Sequence, residues 1–180
     1  MNEDYTLDQS PKTSLRAVAI RYGLIIGMIT VIYSLILFIT NLHITNQFLS
    51  YVSFIILIVG IYMAHQHFKK ENGGYMSYGQ GLGIGSLVSV VVGLLSGIFT
   101  FIYMKFIDTG LMERAQEMQI AELEKRGMSD EQIEQALKMA QSFTSPGMML
   151  VFSIIGILFF GFLFSLIIAA ITKNSQPEFE

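Results

Sequence analysis

The chain reads as an all-α membrane protein: four transmembrane helices, with an extramembrane αα-hairpin between the third and the fourth. Three observations predict this. Charged residues make up only 14% of the 180 residues, against about 25% in a typical soluble domain. The charges that exist are concentrated between four long apolar runs, so the deficit is segmental and not spread through one large core. Finally, small residues recur at every fourth position from Gly81 through Gly85, Ser89, Gly93 and Gly97 inside an uncharged apolar stretch. In water each glycine would weaken a helix by about 1 kcal/mol relative to Ala. In a bilayer the backbone must satisfy its own hydrogen bonds, so the helix persists and the glycines leave a groove for close approach of another helix.

The elements follow in order. Residues 1–17 form a polar tail carrying Glu3, Asp4 and Asp8. A secretory signal has a basic start and a shorter apolar core, so the tail is expected to lead into a retained span. Ser10-Pro11 could open an interfacial helix, because Pro suits the first helical turn. The first apolar run is Tyr22 to Thr40 and the second is Phe48 to Ala64. The second sits at the lower length limit for crossing, so a re-entrant segment is the alternative there. The polar turn at 41–47 makes the two an antiparallel pair. Residues 65–81 are first basic and then glycine-rich, with Asn72-Gly73-Gly74 as the turn signal and Tyr75, Met76 and Tyr78 suited to the headgroup level. The third run is Leu82 to Ile107, so the three spans with their connections occupy 18–107.

Residues 108–146 are the one sizeable polar connection. Leu111 to Arg126 reads as a helix stopped by Gly127, with Lys125 and Arg126 where cations favour the helix dipole. Ser129-Asp130-Glu131-Gln132 has the form of a capping box. In the helix that follows, Ile133, Ala136, Leu137 and Ala140 fall on one apolar face, a candidate surface for docking a partner. Met112, Ala115, Met118 and Leu123 offer a facing surface on the first helix. Ser145-Pro146 then opens the fourth span, 147–173, and 174–180 is a polar tail.

Four spans put both termini on one side, together with Lys12, Arg16, Arg21, Lys69, Lys70 and Lys173. The other side has Lys105, Arg114, Lys125, Arg126 and Lys138 among eight acidic residues. The first group lies nearer the span ends, which favours cytoplasmic termini and an extracytoplasmic hairpin.

The chemistry expected is sparse. The glycine ladder is a helix-packing surface, with either an internal partner or a second subunit, and span one has a smaller echo at Gly23 and Gly27. His65-Gln66-His67 invites a metal reading. Residues two apart on a helix point about 200° from each other, so the two rings are read as polar groups near the headgroups. Ion-coupled carriers and pumps usually hold an ionisable group within a span, and none is placed centrally by this reading. Gly79-Gln80-Gly81-Leu82-Gly83 follows no strand and opens an apolar helix, so it is not a phosphate loop. With no cysteine there is no disulfide framework or thiol nucleophile. A net charge of −3 without a basic stripe gives no footprint for nucleic acid. No cofactor, metal or catalytic residue is expected. The expected partners are the lipid bilayer and either a second copy or another membrane protein.

The order of features resembles the bacterial family known as domain of unknown function 4199. The residues that carry the likeness are Arg21-Tyr22-Gly23, the loop Asn72-Gly73-Gly74-Tyr75-Met76-Ser77-Tyr78-Gly79-Gln80-Gly81, and the Tyr103…Phe106-Ile107-Asp108 end of span three. The charged helical connection and the closing Ala169-Ala170-Ile171-Thr172-Lys173 complete it. Thr109-Gly110 stands where members often have Pro after the Asp. The resemblance implies a small multi-pass protein of the bacterial inner membrane and brings no established activity. The reading is therefore a non-enzymatic scaffold or accessory subunit. The alternatives are a subunit of an oligomeric transporter or channel and, more weakly, an enzyme at the headgroup level using the tyrosine-glycine loop and Asp108.

Overall fold

A computed structural model of the chain describes residues 14–141, 143 and 145–175. These residues are almost wholly helical, and no strands occur among them. Four helices are long and apolar enough to cross a membrane: Leu15–Ile39, Phe48–Glu71, Tyr78–Ile107 and Gly147–Thr172. The interfacial helix considered at Ser10-Pro11 and the last residues of the C-terminal tail lie outside the described residues.

Helix α1 (Leu15–Ile39) begins earlier than its apolar run, at the residue after extended Ser14. The polar tail is thus shorter than hydropathy alone suggests. Arg16 and Arg21 are carried on the helix, where long charged side chains can reach toward water while their stems cover apolar surface. Asn41, with φ 55°, turns the chain in the left-handed conformation that Asn tolerates. Two single-turn helices, α2 (Leu42–Thr45) and α3 (Gln47–Ser50), complete the turn. The Tyr33 hydroxyl fastens it to α1 by donating to the Leu49 carbonyl at 2.7 Å.

Helix α4 (Val52–Glu71) runs well past Ala64. Gly73 and Gly74, at φ 65° and 87°, end it, with Gly74 N–H donating to the Lys69 carbonyl at 2.7 Å. Met76 then pairs antiparallel with Asn174 through two 2.8 Å backbone hydrogen bonds, which ties this loop to the residues just after the last span. Ser77 and Gln80 form a capping box at the start of α5 (Tyr78–Ile102).

Helix α5 is the centre of the bundle. It packs most extensively on α8 (Pro146–Thr172), next on α1, and less on α4. It ends in a π-helical turn, Tyr103–Ile107, closed by Asp108 N–H on the Tyr103 carbonyl at 2.8 Å. The main core includes Ala19, Ile61, Ala64, Met76, Ile84 and Val88, all fully enclosed. A second cluster, at the far end, joins Tyr103, Met104 and Leu111 with Phe38, Phe99 and Met149. Large apolar side chains such as Met28, Ile32, Ile55, Ile98, Phe159 and Ile167 point outward. A surface so apolar fits hydrocarbon and not water.

Between α5 and α8 lie α6 (Leu111–Lys125) and α7 (Asp130–Gln141), separated by Gly127 at φ 77°. Ser129 and Gln132 exchange hydrogen bonds of 3.0 and 3.4 Å at the start of α7. Ile133 is buried, and Ala136, Leu137 and Ala140 are half-buried. Leu137 and Ala140 border an apolar cavity of about 200 Å³ with Met112, Ala115 and Met149. The face read as a docking surface is therefore partly covered by the chain's own helices.

Candidate functional site: a small-residue seam and a buried histidine

Helices α5 and α8 are antiparallel, and their small residues meet in register. A Cβ built on Gly81 would lie 3.0 Å from the Cβ of Ala169. One on Gly85 would lie 2.7 Å from the Cβ of Ser165 and overlap its hydroxyl. One on Gly161 would overlap Ser89. Further along, a Cβ on Gly93 would lie 3.5 Å from the Ile154 carbonyl oxygen and 3.6 Å from Ile157 Cβ, and one on Gly97 3.0 Å from Ser153 Oγ and Ile154 Cγ1. From Gly81 to Ser89, each step of four residues along α5 is matched by four residues back along α8; beyond that, Gly93 and Gly97 both receive Ile154. The ladder is thus filled from inside the chain, by Gly161, Ser165 and Ala169 at one end and by Ser153, Ile154 and Ile157 at the other.

Gly23 and Gly27 of α1 do not meet the ladder. They receive Val91 and Leu95, whose side chains leave α5 on a different side: a Cβ on Gly23 would lie 2.6 Å from Val91 Cβ, and one on Gly27 would lie 2.5 Å from Leu95 Cδ1. Gly60 of α4 does the same for Ile26 of α1. Gly60 and Gly161 are packing residues that the sequence reading did not single out. Gly161-Ser165-Ala169 carried the same spacing signal as the ladder, whereas Gly60 stands alone.

The sequence read His65 as a polar group closing span two; the structure adds that it is fully enclosed, because α4 continues to Glu71 and both α5 and α8 pack beside it. Its Nε2 is 2.9 Å from the Gly81 carbonyl and its Nδ1 is 2.8 Å from the Thr172 hydroxyl. Ser165 donates at 3.3–3.4 Å to the carbonyls of Gly81 and Leu82. One imidazole therefore joins three spanning helices. His67 turns away, beside the Tyr22 ring at 5.4 Å and 4.0 Å from Glu71. Among the described residues no group of three or more His, Asp or Glu could hold a metal ion.

Residues 21–174 match the family described as a protein of unknown function, DUF4199. The chain belongs to the DUF4199 family. No curated protein and no solved structure matches it.

The remaining polar features of this DUF4199 chain are at opposite ends of the bundle. Near the Met76–Asn174 pair lies a polar cavity of about 290 Å³, lined by Asn72, Tyr75, Met76, Ser77, Gln80, Asn174 and Ser175. Asp108 pairs with Arg114 at the other end, and this hydrogen bond holds the guanidinium above its usual pKa range. About thirty residues of helix, at about 1.5 Å each, separate Asp108 from the tyrosine-glycine loop. The two cannot meet in one site.

Proposed function

We propose that this DUF4199 chain is a non-enzymatic scaffold or accessory subunit of the bacterial inner membrane. The observation that carries the reading is the self-filled seam: α5 spends its glycines on α8 of the same chain, so the bundle is a closed platform. In this reading α6 and α7 form an extramembrane hairpin that docks a partner. Its contact surface is the exposed part, including Met139 and Phe143, and not the half-buried Leu137 face. The termini are cytoplasmic and the hairpin extracytoplasmic, in keeping with Arg16, Arg21, Lys69, Lys70 and Lys173 near one end of the spans.

The chain has no cysteine, so single introduced cysteines report orientation cleanly. In intact cells with a permeable outer layer, a membrane-impermeant maleimide is expected to label Gln135→Cys and to spare Tyr75→Cys. The opposite pattern would invert the topology, and labelling of neither would bury the hairpin. The scaffold role is tested by the mass of the purified complex in nanodiscs, before and after Met139→Lys with Phe143→Lys. A defined assembly that the double variant dissolves is expected. Solute flux through liposomes containing the wild-type chain alone would overturn the scaffold in favour of a transport subunit, a reading that the enclosed His65 favours, since ionisable groups within spans commonly serve transport.

A further inference from the structure

We propose that His65 is a proton-binding site inside the helix bundle, with the Thr172 hydroxyl turning between two partners as the ring gains and loses its proton. The inference is independent of the scaffold reading and rests on counting hydrogens among fixed atoms. The Gly81 carbonyl, 2.9 Å from Nε2, can only accept, so Nε2 carries a hydrogen. The Thr172 Oγ1 lies 2.8 Å from Nδ1 and 2.7 Å from the Ile168 carbonyl, and it has one hydrogen for these two contacts. With a neutral ring, that hydrogen goes to Nδ1, and the contact between Thr172 and Ile168 has none. With a protonated ring, Nδ1–H donates to Thr172, whose own hydrogen turns to Ile168. Every short contact then holds one hydrogen, and no heavy atom has moved.

The ring nitrogens have oxygen partners in both states. Burial opposes a charge unless it is hydrogen-bonded, and these partners supply the bonds. Thr172 is the last residue of α8, where the helix dipole presents its negative end to a cation. The groups gathered about the ring are the Gly81 carbonyl of α5, Ala169 and the Thr172 hydroxyl of α8 and, from the loop, the Met76 methyl; none of these titrates. Lys69, one turn further along α4, is a like charge and opposes protonation of the ring. On α1, Tyr22 lies against His67.

Met76 lies beside both the ring and a polar cavity. His65 and the Met76 methyl converge on Gly81, within 3.3 and 3.2 Å of the position its Cβ would take. Met76 in turn lines the polar cavity near Asn72. Met is the side chain best able to shift, so a proton reaching the ring from that cavity would pass beside Met76.

The test is ¹⁵N spectroscopy of histidine-labelled full-length protein in phosphatidylcholine nanodiscs, from about pH 8 down to the acid limit of the folded state. His65→Gln assigns the signals among the three histidines. The expected result is a reversible passage of the His65 nitrogens from one protonated site to two, with the helical signal unchanged. Thr172→Val is expected to lower the proton affinity about tenfold or more, and Thr172→Ser to retain it. A ring that stays neutral until the protein unfolds would overturn the proposal, as would a Thr172→Val protein that titrates like wild type. If Thr172→Val does not fold, the wild-type titration and Thr172→Ser decide the matter.

Discussion

The two sides of α5 achieve close packing by different means. Toward α8, small residues face small residues from Gly81 to Ser89, and at Gly93 an added Cβ would meet the backbone of Ile154 at 3.5–3.6 Å. Toward α1, large side chains of α5 fill hollows left by Gly23 and Gly27. On the first side the neighbours are short side chains and, at Gly93, backbone, so there is little left to trim. On the second side the glycine accommodates a removable side chain. In hydrocarbon, where helix association depends on packing more than on expulsion of water, both arrangements are effective. They differ in how they tolerate change.

The largest effect is expected at the α8 seam. Gly85→Leu would drive a large side chain against Ser165 of α8 and Ile61 of α4, both fully enclosed. Overpacking costs about 1–3 kcal/mol and occasionally more, and this site belongs at the upper end. The measurement is unfolding in mixed micelles followed by helical signal. Stability like that of wild type would remove the distinction between the two faces.

A sharper comparison uses compensation. Gly27→Ala places a methyl 2.5 Å from Leu95 Cδ1 but 3.4 Å from Leu95 Cβ, so Leu95→Ala clears most of the conflict. The double variant is expected to show a favourable coupling within the range of about 0.5–3 kcal/mol typical of touching residues. Gly85→Ala places its methyl 2.7 Å from the Cβ of Ser165, which Ser165→Ala retains. There the coupling is expected to be much smaller, limited to relief from the lost hydroxyl. Equal couplings on the two sides would show that α8 moves away as easily as Leu95 is shortened.

The same contrast explains how far the sequence could be read. The four spans were legible because apolar length and absent charge are local properties. The Ser129–Gln132 box and the Gly127 turn were legible for the same reason. The ladder was legible as a face of α5, but periodicity states which residues share a face and not what lies opposite. Its complement at Gly161, Ser165 and Ala169 had the spacing, yet with larger residues before it and only one glycine it did not stand out. Gly60 gave no pattern. The true position of His65 depends on Gly81 and Thr172, which are 16 and 107 residues away. No local rule reaches that far.

The smallest effect separates shape from hydrogen bonding within the seam. Ser165 is fully enclosed, and its hydroxyl donates to α5 at the long distances of 3.3 and 3.4 Å. Interhelical hydrogen bonds in membranes average about 0.6 kcal/mol, and bonds of this length belong below that value. Ser165→Ala keeps the Cβ and loses the hydroxyl, so it is expected to unfold close to wild type. Gly161→Ala adds one methyl directly against Ser89 and is expected to cost clearly more. If that order held, the seam would act through the distance of approach that glycine permits. If Ser165→Ala were the more damaging, the hydroxyls would be the principal link between α5 and α8, and the small residues only the means of bringing them into reach.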